Sequence, residues 1–234
     1  MSKFNYLKST KKSVEHEANW LYLLLAVLFI TSLIVCNLIA NKFVEVDFGF
    51  YVFTLSAGVL PYPITFLITD VLSEIYGRQK TNQVVFMGFA ALLFTLFILW
   101  LGSLFPSIAS SPVSDQLYQT AFGNSWRVIA ASMVAYLFAQ FIDVRLFHFW
   151  KKLTKGKHLW LRNNASTILS QLVDTALVVS VLFLGDLELG QIGSFIRDGW
   201  AFKTICALLD TPIFYLVIWI FRRRFKLKLG QELK

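Results

Sequence analysis

A chain of 234 residues, 56% hydrophobic and 16% aromatic, with a mean hydropathy of +0.61, is too apolar for an ordinary soluble domain. Its net charge of +8 is divided among tails and short connections between apolar runs, which argues against nucleic-acid binding as its source. Cys36 and Cys206 both lie inside apolar runs and offer no disulfide framework.

A tail over 1–19 carries Lys3, Lys8, Lys11 and Lys12 ahead of the first apolar run, 20–40. This run exceeds a typical signal-peptide core and has no small-x-small cleavage site, so it reads as a retained helix. Asn37, with Thr31 and Ser32, either lines a polar site or bonds a neighbouring helix. A short outward connection, 41–50, leads to the second run, 51–76.

Pro61 and Pro63 each remove a backbone donor from that second run. They imply either a broken helix lining a cavity or a plain kink. Tyr62 and Phe66 beside them offer ring faces to a planar ligand, while Asp70 and Glu74, four residues apart, share one face.

A basic inner turn, 77–83, precedes the third run, 84–105. The outer loop 106–126 holds Pro, Ser and Gly in amounts that oppose helix through most of its length. The fourth run, 127–149, places Gln140 and Asp143 three apart on one face, with Arg145 pointing elsewhere. After the basic inner loop 150–164, the fifth run, 165–185, repeats the Gln-x-x-Asp spacing as Gln171 and Asp174. A mildly acidic outer loop, 186–200, leads to the sixth run, 201–221, with Asp210.

Each run approximates the ~20 residues needed to cross a bilayer. Most lysines and arginines fall in the segments that alternate with the N-terminal tail on one side, and tryptophans cluster near run ends. The expected fold is all-α: a polytopic membrane protein with six transmembrane helices and both termini cytoplasmic. Its parts are the 1–19 tail, a 20–221 membrane domain and a basic 222–234 tail.

Four aspartates inside such spans are costly. Each ion near mid-depth costs about 2.5–3.5 kcal/mol on insertion scales, roughly 10–14 kcal/mol for the set. Asp174 and Asp210 fall near the midplane; Asp70 and Asp143 sit in the cytoplasmic third, with Glu74 closer to the inner surface. Such groups should face one another or a watery cavity, although buried Asp and Gln also tie helices together.

Soluble-type catalysis has little to draw on. His16, His148 and His158 lie in tails or near the inner surface, and the chain has no HExxH, CxxC or Lys-bearing phosphate loop. The expectation is a non-enzyme without metal or cofactor.

The stretches SLIVCNLIANKF (32–43), PITFLITDVLSEIYG (63–77), AYLFAQFIDVRLF (135–147) and NNASTILSQLVDTALVV (163–179) resemble the queuosine precursor transporter family, a vitamin-uptake-like group of bacterial membrane proteins. The DTP at 210–212 is consistent with it. The resemblance implies import of 7-deazaguanine bases (preQ0, preQ1 or queuine) across the bacterial inner membrane for tRNA modification.

Under that resemblance Gln140, Asp143, Gln171 and Asp174 form the base-recognition centre, with Asn37, Asp70 and Asp210 as further substrate contacts. Asp70 and Glu74 are candidates for an inner gate or proton coupling. The expected partners are a small nucleobase-like substrate and membrane lipid, not nucleic acid, and a homo-oligomer is compatible with the reading. Two alternatives stand beside it: a substrate-binding subunit energised by a separate ATPase, and a non-transport membrane scaffold.

Overall fold

A computed structural model describes residues 2–39, 42–47, 49, 51–123, 126–155, 157–183, 188–228 and 230–233. Side chains are described at all of these except 2–13, 43, 54, 55, 126–132, 182 and 183. In chain order the elements are α1 (Ser2–Leu38), β1 (Phe43–Asp47), β2 (Val52–Ser56), a 3-10 turn (Ala57–Val59), α2 (Tyr62–Ile75), α3 (Gly77–Ser103), α4 (Asp115–Phe122), α5 (Trp126–Leu153), α6 (Leu159–Phe183) and α7 (Leu189–Phe225).

Among the described residues, five segments are long and apolar enough to cross a membrane: Val14–Leu38, Ala57–Ile75, α3, Leu159–Val181 and α7. Helix α5, at 28 residues, matches them in length and carries Gln140, Asp143, Arg145 and His148 within its otherwise apolar run. The bundle is polar inside and apolar outside. Asp70, Glu74, Gln140, Asp143, Arg162, Gln171 and Asp174 are buried, whereas Leu23, Val27, Phe86, Phe94, Leu209 and Leu216 are exposed. Lipid-facing surface explains the second set, and the first turns inward, away from lipid.

Several boundaries differ from the sequence reading, each for a physical reason. The prolines do not break a helix; they start one. Pro61 is the N-cap of α2 and Pro63 falls in its first turn, where backbone donors have no intrahelical partner and proline's fixed φ suits the helix. Residues 51–56 are not helical either. Val52–Ser56 pairs antiparallel with Phe43–Asp47, Phe43 opposite Ser56 and Asp47 opposite Val52, as β-branched residues favour. The Asp47 carboxylate accepts from Gly49 N–H at 2.6 Å beyond β1.

The expected outer loop 186–200 is largely the first third of α7. Of its glycines, Gly199 serves packing: a Cβ there would come 3.2 Å from Thr175 Cγ2, so glycine allows α7 to lie close against α6. Within 106–126, α4 forms behind Ser114, whose hydroxyl accepts from Leu117 N–H. Helix α1 extends back through the segment read as a tail.

The inner turn shrinks to Tyr76 and Gly77. Gly77 adopts φ +80°, a region open to glycine but strained for other residues, and the Glu232 carboxyl fills the space a Cβ would need. Gly77→Ala should therefore destabilise the protein by about 1–2 kcal/mol from backbone conformation alone. Thermal unfolding in detergent checks this; an unchanged midpoint would mean the turn relaxes.

The core that fixes these helices gathers Phe29 and Leu33 of α1, Leu72 and Ile75 of α2, Val84 and Val85 of α3, Phe147 of α5, and Phe214 and Ile218 of α7.

Candidate functional site

Helix α6 carries a polar stripe at helical spacing: Arg162, Asn163, Ser166, Thr167, Ser170, Gln171 and Asp174, all buried. Helix α2 runs antiparallel to it, and the two meet through three side-chain rungs. Arg162 Nη2 lies 2.8 Å from Glu74 Oε2. Thr167 Oγ1 donates to Asp70 Oδ2 at 3.4 Å, and the Tyr62 hydroxyl donates to Asp174 Oδ1 at 3.4 Å. From Glu74 to Tyr62 the track extends about 18 Å along α2 at 1.5 Å per residue.

The middle rung is completed by α5. Ser170 Oγ donates to Asp143 Oδ1 at 3.0 Å, and the Asp143 carboxyl faces that of Asp70. One turn away, Gln140 is fully buried with neither amide atom partnered; Gln171 on α6 is in the same condition. Asn163 Oδ1 and the Tyr136 hydroxyl likewise have no protein partner. Each unmet buried polar group costs about 1–3 kcal/mol, so a cluster of them signals a site rather than a packing accident.

At the Tyr62 end, Lys203 of α7 reaches inward. Its Nζ donates to Asp174 Oδ2 at 2.8 Å and to Thr175 Oγ1 at 3.2 Å, and lies 4.6 Å from the Tyr62 ring centroid. A cavity of about 20 Å³ opens beside it, lined by Tyr62, Phe66, Asp70, Gln171, Lys203 and Asp210. That is room for about one water. A planar heterocycle fits there only if the lining helices move apart.

At the opposite end, Glu74 is buried among three cations. Arg222 donates to its Oε1, Arg162 stands at Oε2, and Lys151 Nζ is 3.5 Å from Oε2 while also pairing with Glu232 at 2.9 Å. Arg162 is fully buried, with its guanidinium 5.6 Å from the Phe147 ring centroid.

The structure thus brings Asp70, Gln140, Asp143, Gln171 and Asp174 into one interior track, with Asp210 on the cavity wall and Glu74 at the far end. Asn37 stands apart. It is exposed, and its amide donates to Leu33 O on its own helix at 2.9 Å. Arg145 is exposed on α5. Among the described residues, no group of three or more His, Cys, Asp or Glu is placed to hold a metal ion.

Arg162 and Arg222 escaped the sequence reading because they fall in the inner loop 150–164 and the 222–234 tail, and Lys203 because it stands at the outer edge of the 201–221 run, where it reads as a topology charge. Lys203 carries a usable signal: seven residues before Asp210 on one continuous helix, it must share that face.

A family model described as "Putative vitamin uptake transporter" matches residues 56–217. A Bacillus subtilis protein named "Probable queuosine precursor transporter" is 38% identical over 64% of this chain and 63% of its own length. A Haemophilus influenzae protein of the same name is 26% identical over 66% of the chain and 60% of its length. An Escherichia coli protein named "Queuosine precursor transporter" is 26% identical over 62% of each. The chain therefore matches under two thirds of the length of these relatives. No solved structure matches it.

Proposed function

Because the chain belongs to the vitamin uptake transporter family, we propose that it imports queuosine precursors, 7-deazaguanine bases of the preQ0, preQ1 and queuine type, across the bacterial inner membrane. The observation that carries this reading is the pair of unpartnered buried amides on Gln140 and Gln171 with the facing carboxyls of Asp70 and Asp143, beside a small cavity. A guanine-like edge presents adjacent N–H donors that one carboxylate accepts together and a carbonyl that a Gln amide serves. Tyr62 and Phe66, with ring centroids 5.6 Å apart, supply apolar faces for the ring system. The names of the three relatives point to the same substrate class.

In the proposed cycle Gln140, Asp143, Gln171 and Asp174 recognise the base, with Asp70 and Asp210 at the cavity wall. Lys203 occupies Asp174 while the site is closed and must leave for a substrate donor to take its place. Glu74, with Arg162, Arg222 and Lys151, locks the other end. Opening one end while the other stays paired is the alternating access a carrier needs.

Six spans with both termini cytoplasmic follow as part of this proposal. The length of α5 supports the sixth span, and the gathering of Lys151, Arg162 and Arg222–Arg224 at the end where α7 finishes supports the orientation.

The test is restoration of tRNA queuosine in a bacterial strain that neither makes nor imports the precursors. Cells expressing the chain and fed preQ1 or queuine should regain the modification. If no 7-deazaguanine restores it while the protein is present in the membrane, the substrate assignment fails.

A further inference from the structure

We propose that the groove between the start of α6 and the end of α7 binds the phosphate of an anionic phospholipid. The groove encloses about 520 Å³ and is lined by His158, Tyr215, Ile218, Trp219, Arg222 and Arg223. Among the described residues, no carboxylate lines it. Arg223 lies with its guanidinium 5.2 Å from the Trp219 ring centroid, an arrangement that leaves the planar cation presented for a phosphate.

Charge balance points the same way. Arg222 shares Glu74 with Arg162 and Lys151, and the neighbouring Arg224 is paired with Glu17, whereas Arg223 has no ion pair among the described residues. The start of α6 is not what carries the site, because the Trp160 N–H donates to the Tyr215 hydroxyl at 3.0 Å.

The surroundings favour a lipid over free phosphate. Trp160 and Trp219 are half-exposed at this end, as aromatic side chains are at a headgroup boundary. From the groove, Leu216, Ile220 and Ile213 continue as exposed apolar surface along α7, a wall against which acyl chains can lie. Basic pockets between membrane helices on the cytoplasmic side suit anionic headgroups. Arg222 faces both the groove and Glu74, so an occupied groove would compete for the cation that helps lock that end of the bundle.

The site is tested on the purified full chain in neutral detergent, without substrate, so its outcome is independent of the transport proposal. Phosphatidylglycerol should raise the melting temperature progressively with concentration, and phosphatidylcholine should not. Arg223→Gln should abolish the rise. Arg197→Gln, which removes a 70% exposed arginine from the start of α7, should keep it. If Arg223→Gln lowers the starting midpoint too far to read, Trp219→Leu serves as the second groove variant and should weaken the rise. An equal rise with phosphatidylcholine, a full rise in the groove variants, or the same rise with inorganic phosphate would overturn the assignment.

Discussion

Glu74→Gln is expected to destabilise the protein by about 3–5 kcal/mol, the cost of breaking a buried ion pair by removing one partner. Glu74 is 1% exposed and Arg162 is fully buried, so water cannot take over the lost pairing. The variant leaves Arg162, Arg222 and Lys151 facing a neutral amide, with only Glu232 left to balance Lys151. A second substitution should recover part of the loss. Glu74→Gln with Arg162→Met removes the most deeply buried of the stranded cations and should melt higher than Glu74→Gln alone. Thermal unfolding in detergent measures both. A Glu74→Gln midpoint equal to the unsubstituted protein's would mean the cluster is not a lock.

Asp174→Asn is expected to abolish precursor uptake at normal membrane levels. The change keeps the side chain's size and removes its charge, and hydrogen bonds to charged groups contribute about 1.5–3 kcal/mol each, roughly ten- to a hundred-fold in affinity. The variant also strands Lys203, which loses its 2.8 Å partner and keeps Thr175 and the Tyr62 ring. Adding Lys203→Met separates the two effects. If Asp174 served only to neutralise Lys203, the double variant would regain stability and uptake together. The proposal has it regain stability while uptake of labelled preQ1 stays lost.

Much of the interior track was legible from spacing alone. Gln140 with Asp143, and Gln171 with Asp174, share helix faces by their three-residue separation, and the insertion cost of four aspartates required an inward orientation. The stripe from Arg162 to Asp174 on α6 was equally available, since polar residues recur there at helical period. What spacing does not encode is the register between helices. That Glu74 meets Arg162 and Asp174 meets Lys203 depends on how α2, α6 and α7 are set against each other, which no local pattern specifies.

The start of α7 was hidden as well. Residues 186–200 read as a mildly acidic loop, whereas from Leu189 they are helical and Gly199 serves the close approach of α7 to Thr175. The hairpin was masked in a similar way. Val52–Ser56 is apolar enough to merge with the run that follows, and its strand character emerges only through pairing with Phe43–Asp47. Pro61 and Pro63 were informative about a discontinuity, but a helix start and a helix break draw on the same missing donors.

Direct binding to the purified protein tests the central claim, that the track between α2, α5, α6 and α7 recognises a 7-deazaguanine. Titrating preQ1 and queuine, with biotin as an unrelated vitamin, should show saturable binding of the deazaguanines only, and Asp174→Asn should lose it. Binding of neither base by folded protein, or equal binding by Asp174→Asn, would contradict the account.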